Sequence, residues 1–429
     1  MPISSSALFA SLFGKETLVG LDIGSAFMKA VQVEPAGLAA RGFRVVRAAQ
    51  APTPPDAIRD GIVVDAPAVA QALRQMLRAA GITATGAVTA VAGPTVVVRT
   101  IRLPRMSEAA LRKSVRYEAA KYINANVDDS AIEFEILGPV SAPAALPEPE
   151  KNADGESNEN GENGPAGADQ MNVMLVAASR EMVESRLAVI EGAGLEAVAV
   201  DVEAFALQRA LVGAAARLAA DGTEGDSGGG PGLRALIDLG AAHTEVTLLL
   251  GDTFALTRSI PIAGEAFTNV FRGHFHCASD EAERQKAAVD LAVLLDPERA
   301  ADPEASALPR LLQPTLDELL REVRRSIHYY QSQLEGENGA AQPGAQSALA
   351  EIILSGGGAQ MGGIAPYMSA RLGTQVRVGN AFAGPLPFTA HAESAAFLLE
   401  HHPCLSVCAG LAVKELLSGT AIGPVKKAA

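Results

Sequence analysis

The sequence predicts an α/β fold of two related lobes. Three observations carry that expectation: strand-like and helical segments alternate, one strand-turn-strand pattern occurs twice, and a glycine run follows the second copy. With 429 residues, 48% hydrophobic and 20% charged, the chain can form two or three compact domains with substantial cores.

The strand-like segments include 18–22, 87–92 and 196–200, and the helical ones 66–80 and 180–191. From 316 to 334, Leu316, Leu320, Val323, Ile327, Tyr330 and Leu334 recur at steps of three and four, the apolar stripe of a core helix. From about 107 to 123, Leu111, Val115, Tyr122 and Ile123 lie on or near one helical face, with Arg112, Lys113 and Arg116 toward the other. Three stretches read as linkers because they lack the apolar residues that offset chain entropy. These are 147–170, with seven acidic residues against one Lys and read as a disordered insertion, and the Gly-rich segments 221–232 and 336–347.

The repeated pattern is LVGLDIGSAFMKAVQV from Leu18 and ALIDLGAAHTEVTLLL from Ala235, each reading apolar strand, Asp, aliphatic, Gly, small residue, second strand. Asp22 corresponds to Asp238 and Gly24 to Gly240, so the chain reads as a duplicated α/β domain. Two facing hairpin turns suit triphosphate binding, because glycine lets backbone N–H groups approach phosphate oxygens. An Asp ending each first strand suits Mg²⁺ held through its waters, which makes Asp22 and Asp238 the metal-side candidates. Ser25 and Lys29 in the first copy, and Ala241 and Thr244 in the second, complete the phosphate-side set. Taken singly, each motif is also what an ordinary hairpin turn uses. The third element is EIILSGGGAQ from Glu351, a strand running into Gly356, Gly357 and Gly358, where a base or sugar could lie against bare backbone. Neither a Walker A loop nor a GxGxxG turn is present, which sets aside the P-loop and Rossmann readings.

Asp22-Ile-Gly-Ser, Asp238-Leu-Gly-Ala and Ser355-Gly-Gly-Gly resemble, in order and spacing, the two phosphate motifs and the adenosine motif of the actin, Hsp70 and sugar-kinase superfamily. The resemblance implies an actin-like, RNase H-like duplicated two-lobe fold with ATP or ADP and Mg²⁺ in its cleft. It also implies Glu283 and Lys286 near the ribose, and Glu203 as the residue that would orient water. An exposed charged helix and a favourable charge at a helix N-terminus are the ordinary alternatives for these residues. Segments 101–123, 200–211, 254–268, 320–334 and 405–416 resemble the PilM family of type IV pilus assembly proteins. Two features depart from that family: Ala263-Gly264 stands where relatives commonly have paired glycines, and the acidic insertion falls within the region of the family's extra subdomain.

That family resemblance implies an FtsA-like extra subdomain at about 94–195 within a first lobe spanning 18–205. A second lobe follows at 206–388, then a C-terminal helix returning to the first lobe and a tail at 389–429, with a flexible leader at 1–17. It implies an ATP-binding scaffold of pilus assembly whose partner is the cytoplasmic N-terminal peptide of PilN, within the PilN/PilO inner-membrane subcomplex, with pilus motor ATPases beyond and self-association open. ATPase activity would be weak or absent. A polymerising FtsA-like division protein and a small-molecule kinase are the rival readings on the same fold. The tail lacks the basic amphipathic helix of a membrane tether, and the residues reveal no additional base and polar pocket for a kinase.

The formal charge of −14 and the absence of Trp argue against a general nucleic-acid binder, which needs a basic face. Cys277, Cys404 and Cys408 form no CxxC pair and fit a reducing compartment, and no run approaches the ~20 apolar residues of a spanning helix. The expectation is a cytoplasmic protein held at the inner membrane through partners. The groups His274-x-His276-Cys277 and His402-x-Cys404-x3-Cys408 lack standard structural-zinc spacing and read as ordinary histidines and buried thiols.

Overall fold

A computed structural model describes residues 17–36, 42–123, 126–139, 170–213, 232–337 and 348–418. The leader 1–17, the acidic insertion, the two Gly-rich linkers and the tail beyond 418 lie outside the described residues, apart from one or two residues at their ends.

In chain order the elements are β1 (Leu18–Ile23), β2 (Phe27–Pro35), β3 (Phe43–Pro52), β4 (Ile58–Arg59), β5 (Ile62–Val63), α1 (Ala66–Ala79), β6 (Gly86–Val91), β7 (Val97–Pro104), α2 (Glu108–Ala119), β8 (Ser130–Pro139), β9 (Gln170–Ser179), α3 (Arg180–Ala193), β10 (Glu196–Val202) and α4 (Glu203–Leu211). There follow β11 (Leu233–Leu239), β12 (Thr244–Leu250), β13 (Thr253–Ile260), α5 (Gly264–Phe275), α6 (Ser279–Ala287), α7 (Pro303–Glu337), β14 (Leu349–Ser355), α8 (Ile364–Leu372), β15 (Val376–Val378), β16 (Phe388–Ala390), α9 (Ala392–His401) and α10 (Ser406–Ala412). Local chemistry starts the helices where the sequence indicates: the Asp65 carboxylate accepts from Ala68 N, and the Ser107 hydroxyl from Ala110 N.

The chain divides into two compact units, one comprising Thr95–Arg180 and the other the remainder. In the larger unit, one sheet has the order β10-β6-β1-β2-β3-β16 and the other β13-β12-β11-β14-β15. Strands β1 to β3 form an antiparallel meander and β6 joins β1 in parallel; β11 to β13 and β14 repeat the arrangement. The duplication read from two short motifs therefore extends to both sheets. Helices α1 and α3 cover one face of the first sheet through Leu73, Val189 and Ile190, and α10 covers the other. Against the second sheet, α7 sets the expected stripe of Leu316, Leu320, Val323 and Ile327 in the core.

Several boundaries differ from the sequence reading. Helix α7 begins at Pro303 and carries Pro309 and Pro314 inside it. Its early turns hold because Leu308, Leu311 and Leu312 pack into the lobe core, offsetting the lost backbone hydrogen bonds. Helix α3, expected inside the inserted segment, packs in the larger unit. The lobe boundary expected at 205/206 falls inside α4, which packs on α10, and β16, which straddles the expected end of the second lobe at 388, pairs with β3. One helical run, Ala392–Ala412, is long and apolar enough by length and composition to cross a membrane. Every residue of its α10 portion is buried against β1 and α4, as in a core helix.

The smaller unit is a three-stranded sheet, β7-β9-β8, with α2 laid across it. Ile101, Leu103, Val173 and Leu175 of the sheet meet Leu111, Val115 and Ala119 of α2 in a separate core, as the periodicity of that helix requires.

Candidate functional site

Each lobe contributes one hairpin. After β1 the chain turns through Gly24, whose N–H donates to Phe27 O at 3.2 Å; after β11 it turns through Gly240, which donates to His243 O at 3.1 Å. Asp22 sits opposite Lys29 across its hairpin, and Asp238 sits opposite Glu245. The two turns thus share a backbone but differ in charge. Lys29 closes on Asp22 at 2.7 Å, whereas Oδ1 of Asp238 and Oε1 of Glu245 are buried without a hydrogen-bond partner among the described residues.

The glycine run stands behind the second hairpin. Gly356 has φ 90°, and a Cβ there would lie 2.5 Å from Leu239 O, so only glycine lets β14 turn this close to the end of β11. Gly356 N donates to Pro403 O at 2.9 Å, which ties the run to the segment ahead of α10.

These pieces meet at a cavity of ≈ 470 Å³. Of the residues singled out in the sequence, Asp22, Gly24, Ser25, Lys29, Glu203, Asp238, Gly240, Ala241, Gly356 and Gly357 line it. Four others do not. The Thr244 hydroxyl is buried and donates to Ile262 O at 2.6 Å, and Gly358 is pressed against the Leu239 side chain. Lys286 bonds Glu283 at 2.8 Å and Thr268 Oγ1 at 2.9 Å, and Thr268 donates to Gly264 O at 2.9 Å. Because Gly264 N donates to Gly240 O, Glu283 and Lys286 brace the second hairpin from behind.

The electrostatics are dominated by buried acid. Burial holds the Glu203 carboxyl well above the ordinary carboxylate range, and Asp22, Asp238 and Glu245 push it further in the same direction. Burial likewise raises Asp238 to about 6 and Glu245 to about 7. Burial alone would lower the pKa of Lys29, but the adjacent Asp22 more than offsets this and keeps the ammonium above its usual pKa. Carboxylates with unpartnered oxygens beside two hairpin turns suit a hydrated cation and a phosphate chain. Among the described residues no three His, Cys, Asp or Glu side chains gather as a group that could hold a metal ion.

Sequence reasoning missed three participants. Glu245 could have been found from register, since it occupies the position of Lys29 in the other copy. Arg186 on α3 lines the cavity and donates Nε to Ala90 O at 2.8 Å and Nη1 to Gly61 O, acceptors 96 and 125 residues away that no local pattern reveals. Arg59 lies on the β4–β5 hairpin, too short to register as strands.

Two lobes of one strand order, each offering an Asp-bearing hairpin to one cavity, define a protein of the actin-like class. Among solved structures the chain is similar to one described as the PilM-PilN type IV pilus biogenesis complex, with 25% identity, 92% of this chain and 98% of that chain covered, and a TM-score of 0.69. It is more distantly similar to the ethanolamine utilization protein EutJ from Carboxydothermus hydrogenoformans (18%, 94% and 90%, 0.48) and to MreB5 of Spiroplasma citri bound to AMPPNP (11%, 95% and 98%, 0.45). The family described as type IV pilus assembly protein PilM matches residues 20–148 and 161–416, and the chain belongs to that family.

Proposed function

We propose that this chain is a cytoplasmic ATP-binding scaffold of type IV pilus assembly that takes the N-terminal peptide of PilN, with the nucleotide serving mainly as a conformational ligand. Membership of the PilM family and likeness to a PilM-PilN complex support the pilus role and the partner. The observation that carries the nucleotide is the pair of matched hairpins at one cavity, the second of them bearing buried carboxylate oxygens that no described residue partners. Bound ATP·Mg²⁺ supplies a divalent cation and a phosphate chain that these carboxylates and turn N–H groups lack on their own.

On this reading the Gly24 and Gly240 turns present backbone N–H groups to phosphate, and Asp22 and Asp238 hold Mg²⁺ through its waters. Gly356 and Gly357 leave room for the adenosine, with Glu283 and Lys286 behind. Glu203 orients water if hydrolysis occurs at all; its raised pKa favours the neutral form, which suits a binding scaffold better than a fast ATPase. A ligand held by residues of both lobes stabilises the arrangement in which all of them reach it, and this is how occupancy of the cleft would alter partner affinity. The scaffold would link the PilN/PilO subcomplex to pilus motor ATPases and sit at the inner membrane through those partners.

Titrating a fluorescent PilN N-terminal peptide into the purified protein, with and without ATP·Mg²⁺, tests the scheme. The expected outcome is a nucleotide-dependent change in peptide affinity of about fivefold or more. Equal affinities would remove the switch and leave a nucleotide-independent scaffold.

A further inference from the structure

We propose that Arg59 recognises the terminal phosphate of a nucleoside triphosphate, so that the β4–β5 turn distinguishes ATP from ADP; this inference rests on the nucleotide reading given above. The turn is rigid. Asp60 and Gly61 have φ 50° and 80°, the two left-handed residues of a tight Asp-Gly hairpin connection.

The hairpin is held from two sides. Thr53 ties the preceding chain to the phosphate-side turn of the first lobe, its hydroxyl donating to Gly24 O at 2.7 Å and its N–H to Ala26 O at 2.9 Å. Arg186 bridges Gly61 O to Ala90 O at the end of β6, fixing the tip of the hairpin at the cavity wall.

Among the described residues the charges of the wall leave one cation without a partner. Carboxylates from Asp22, Asp60, Glu203, Asp238, Glu245 and Glu265 face the cavity against three cations, Lys29, Arg59 and Arg186. Lys29 is engaged by Asp22, and Arg186 is buried with two carbonyl acceptors. Arg59 is exposed and has no hydrogen-bond or ion-pair partner among the described residues. Glu203 and the β4–β5 turn line the same cavity as the two hairpin turns and the glycine run, so a triphosphate held by those turns would have Arg59 in the wall around it. A wall with excess carboxylate opposes the extra charge of a triphosphate. A guanidinium that no described residue engages would match that extra charge bidentately, and a diphosphate lacks the charge that Arg59 would recognise.

The test is calorimetric titration of the full-length protein with ADP and with a non-hydrolysable ATP analogue, both in excess Mg²⁺, for the native chain, Arg59→Ala and Arg59→Gln. Both variants should weaken the triphosphate analogue about tenfold or more and leave ADP within about twofold. Because Arg59 is exposed, the variants should melt as the native protein does, and agreement between the two substitutions excludes a local packing fault. Equal loss for both nucleotides, or no loss for either, overturns the assignment of Arg59 while the nucleotide reading stands. Failure of the native chain to bind either nucleotide overturns both.

Discussion

Asp22 and Asp238 occupy the same place in the two lobes, yet the residue across each hairpin has opposite sign, Lys29 in one and Glu245 in the other. The first lobe therefore neutralises its own aspartate and the second does not. Burial raises Asp238 to about 6 and Glu245 to about 7, so the folded state binds these protons more tightly than the unfolded chain. The stability they contribute is complete below the unfolded carboxylate range near pH 4 and is lost as pH rises toward 7. Glu245→Gln should accordingly stabilise the nucleotide-free protein at pH 8 by on the order of 1 kcal/mol and flatten the fall in stability between about pH 4.5 and 7. Urea unfolding at pH 5 and pH 8 measures this, and a lower midpoint at pH 8 would refute it. The aspartates and hairpin glycines were legible in the sequence because a turn states its needs within a few residues and the duplication repeats them. Arg186 was not, since its acceptors come from distant parts of the chain.

Among the elements, α10 determines most about the first lobe. It lies between β1 and α4, and both contacts are made through glycine: a Cβ on Gly20 of β1 would strike the Cys408 carbonyl, and one on Gly410 would strike the Ala206 carbonyl of α4. Gly410→Ala should therefore force α4 and α10 apart and cost about 1–3 kcal/mol, read as a lowered urea midpoint. Because α4 begins at Glu203 and Gly356 N bonds Pro403 O, the same substitution should also weaken ATP binding. Retained stability would mean that the helices can separate without strain. Strand and helix positions were largely readable from periodicity, to within a few residues. The start of α7 was not, because two prolines argue locally for a boundary that core packing overrides.

At the scale of the whole molecule, the cavity draws its wall from the larger unit alone. Ala92 and Met182 both abut Gly61, so the chain leaves for Thr95–Arg180 and returns at neighbouring points. Replacing that segment with a short Gly-Ser linker should leave a folded protein whose melting temperature still rises with ATP·Mg²⁺. About 2.7 kcal/mol of ligand stabilisation is expected when the nucleotide is at a hundred times its Kd. A truncated protein that folds but shows no nucleotide-induced shift would place part of the nucleotide site in the excised segment. The sequence anticipated an inserted segment, but its far end at Arg180 follows from which core α3 joins.

By itself the sequence determined the α/β class, the duplication, the acidic cleft residues at each hairpin and the glycine run, because each is a short-range demand of backbone geometry or residue chemistry. The tertiary structure decided what stands across the cleft from them. It set Glu245, whose Oε1 no described residue partners, against Asp238, brought Arg186 to the β4–β5 turn, placed Arg59 at the cavity wall without a partner among the described residues and moved Glu283 and Lys286 behind the second hairpin. Those outcomes depend on side chains far apart in the chain competing for the same few acceptors, a competition that only the packed molecule resolves.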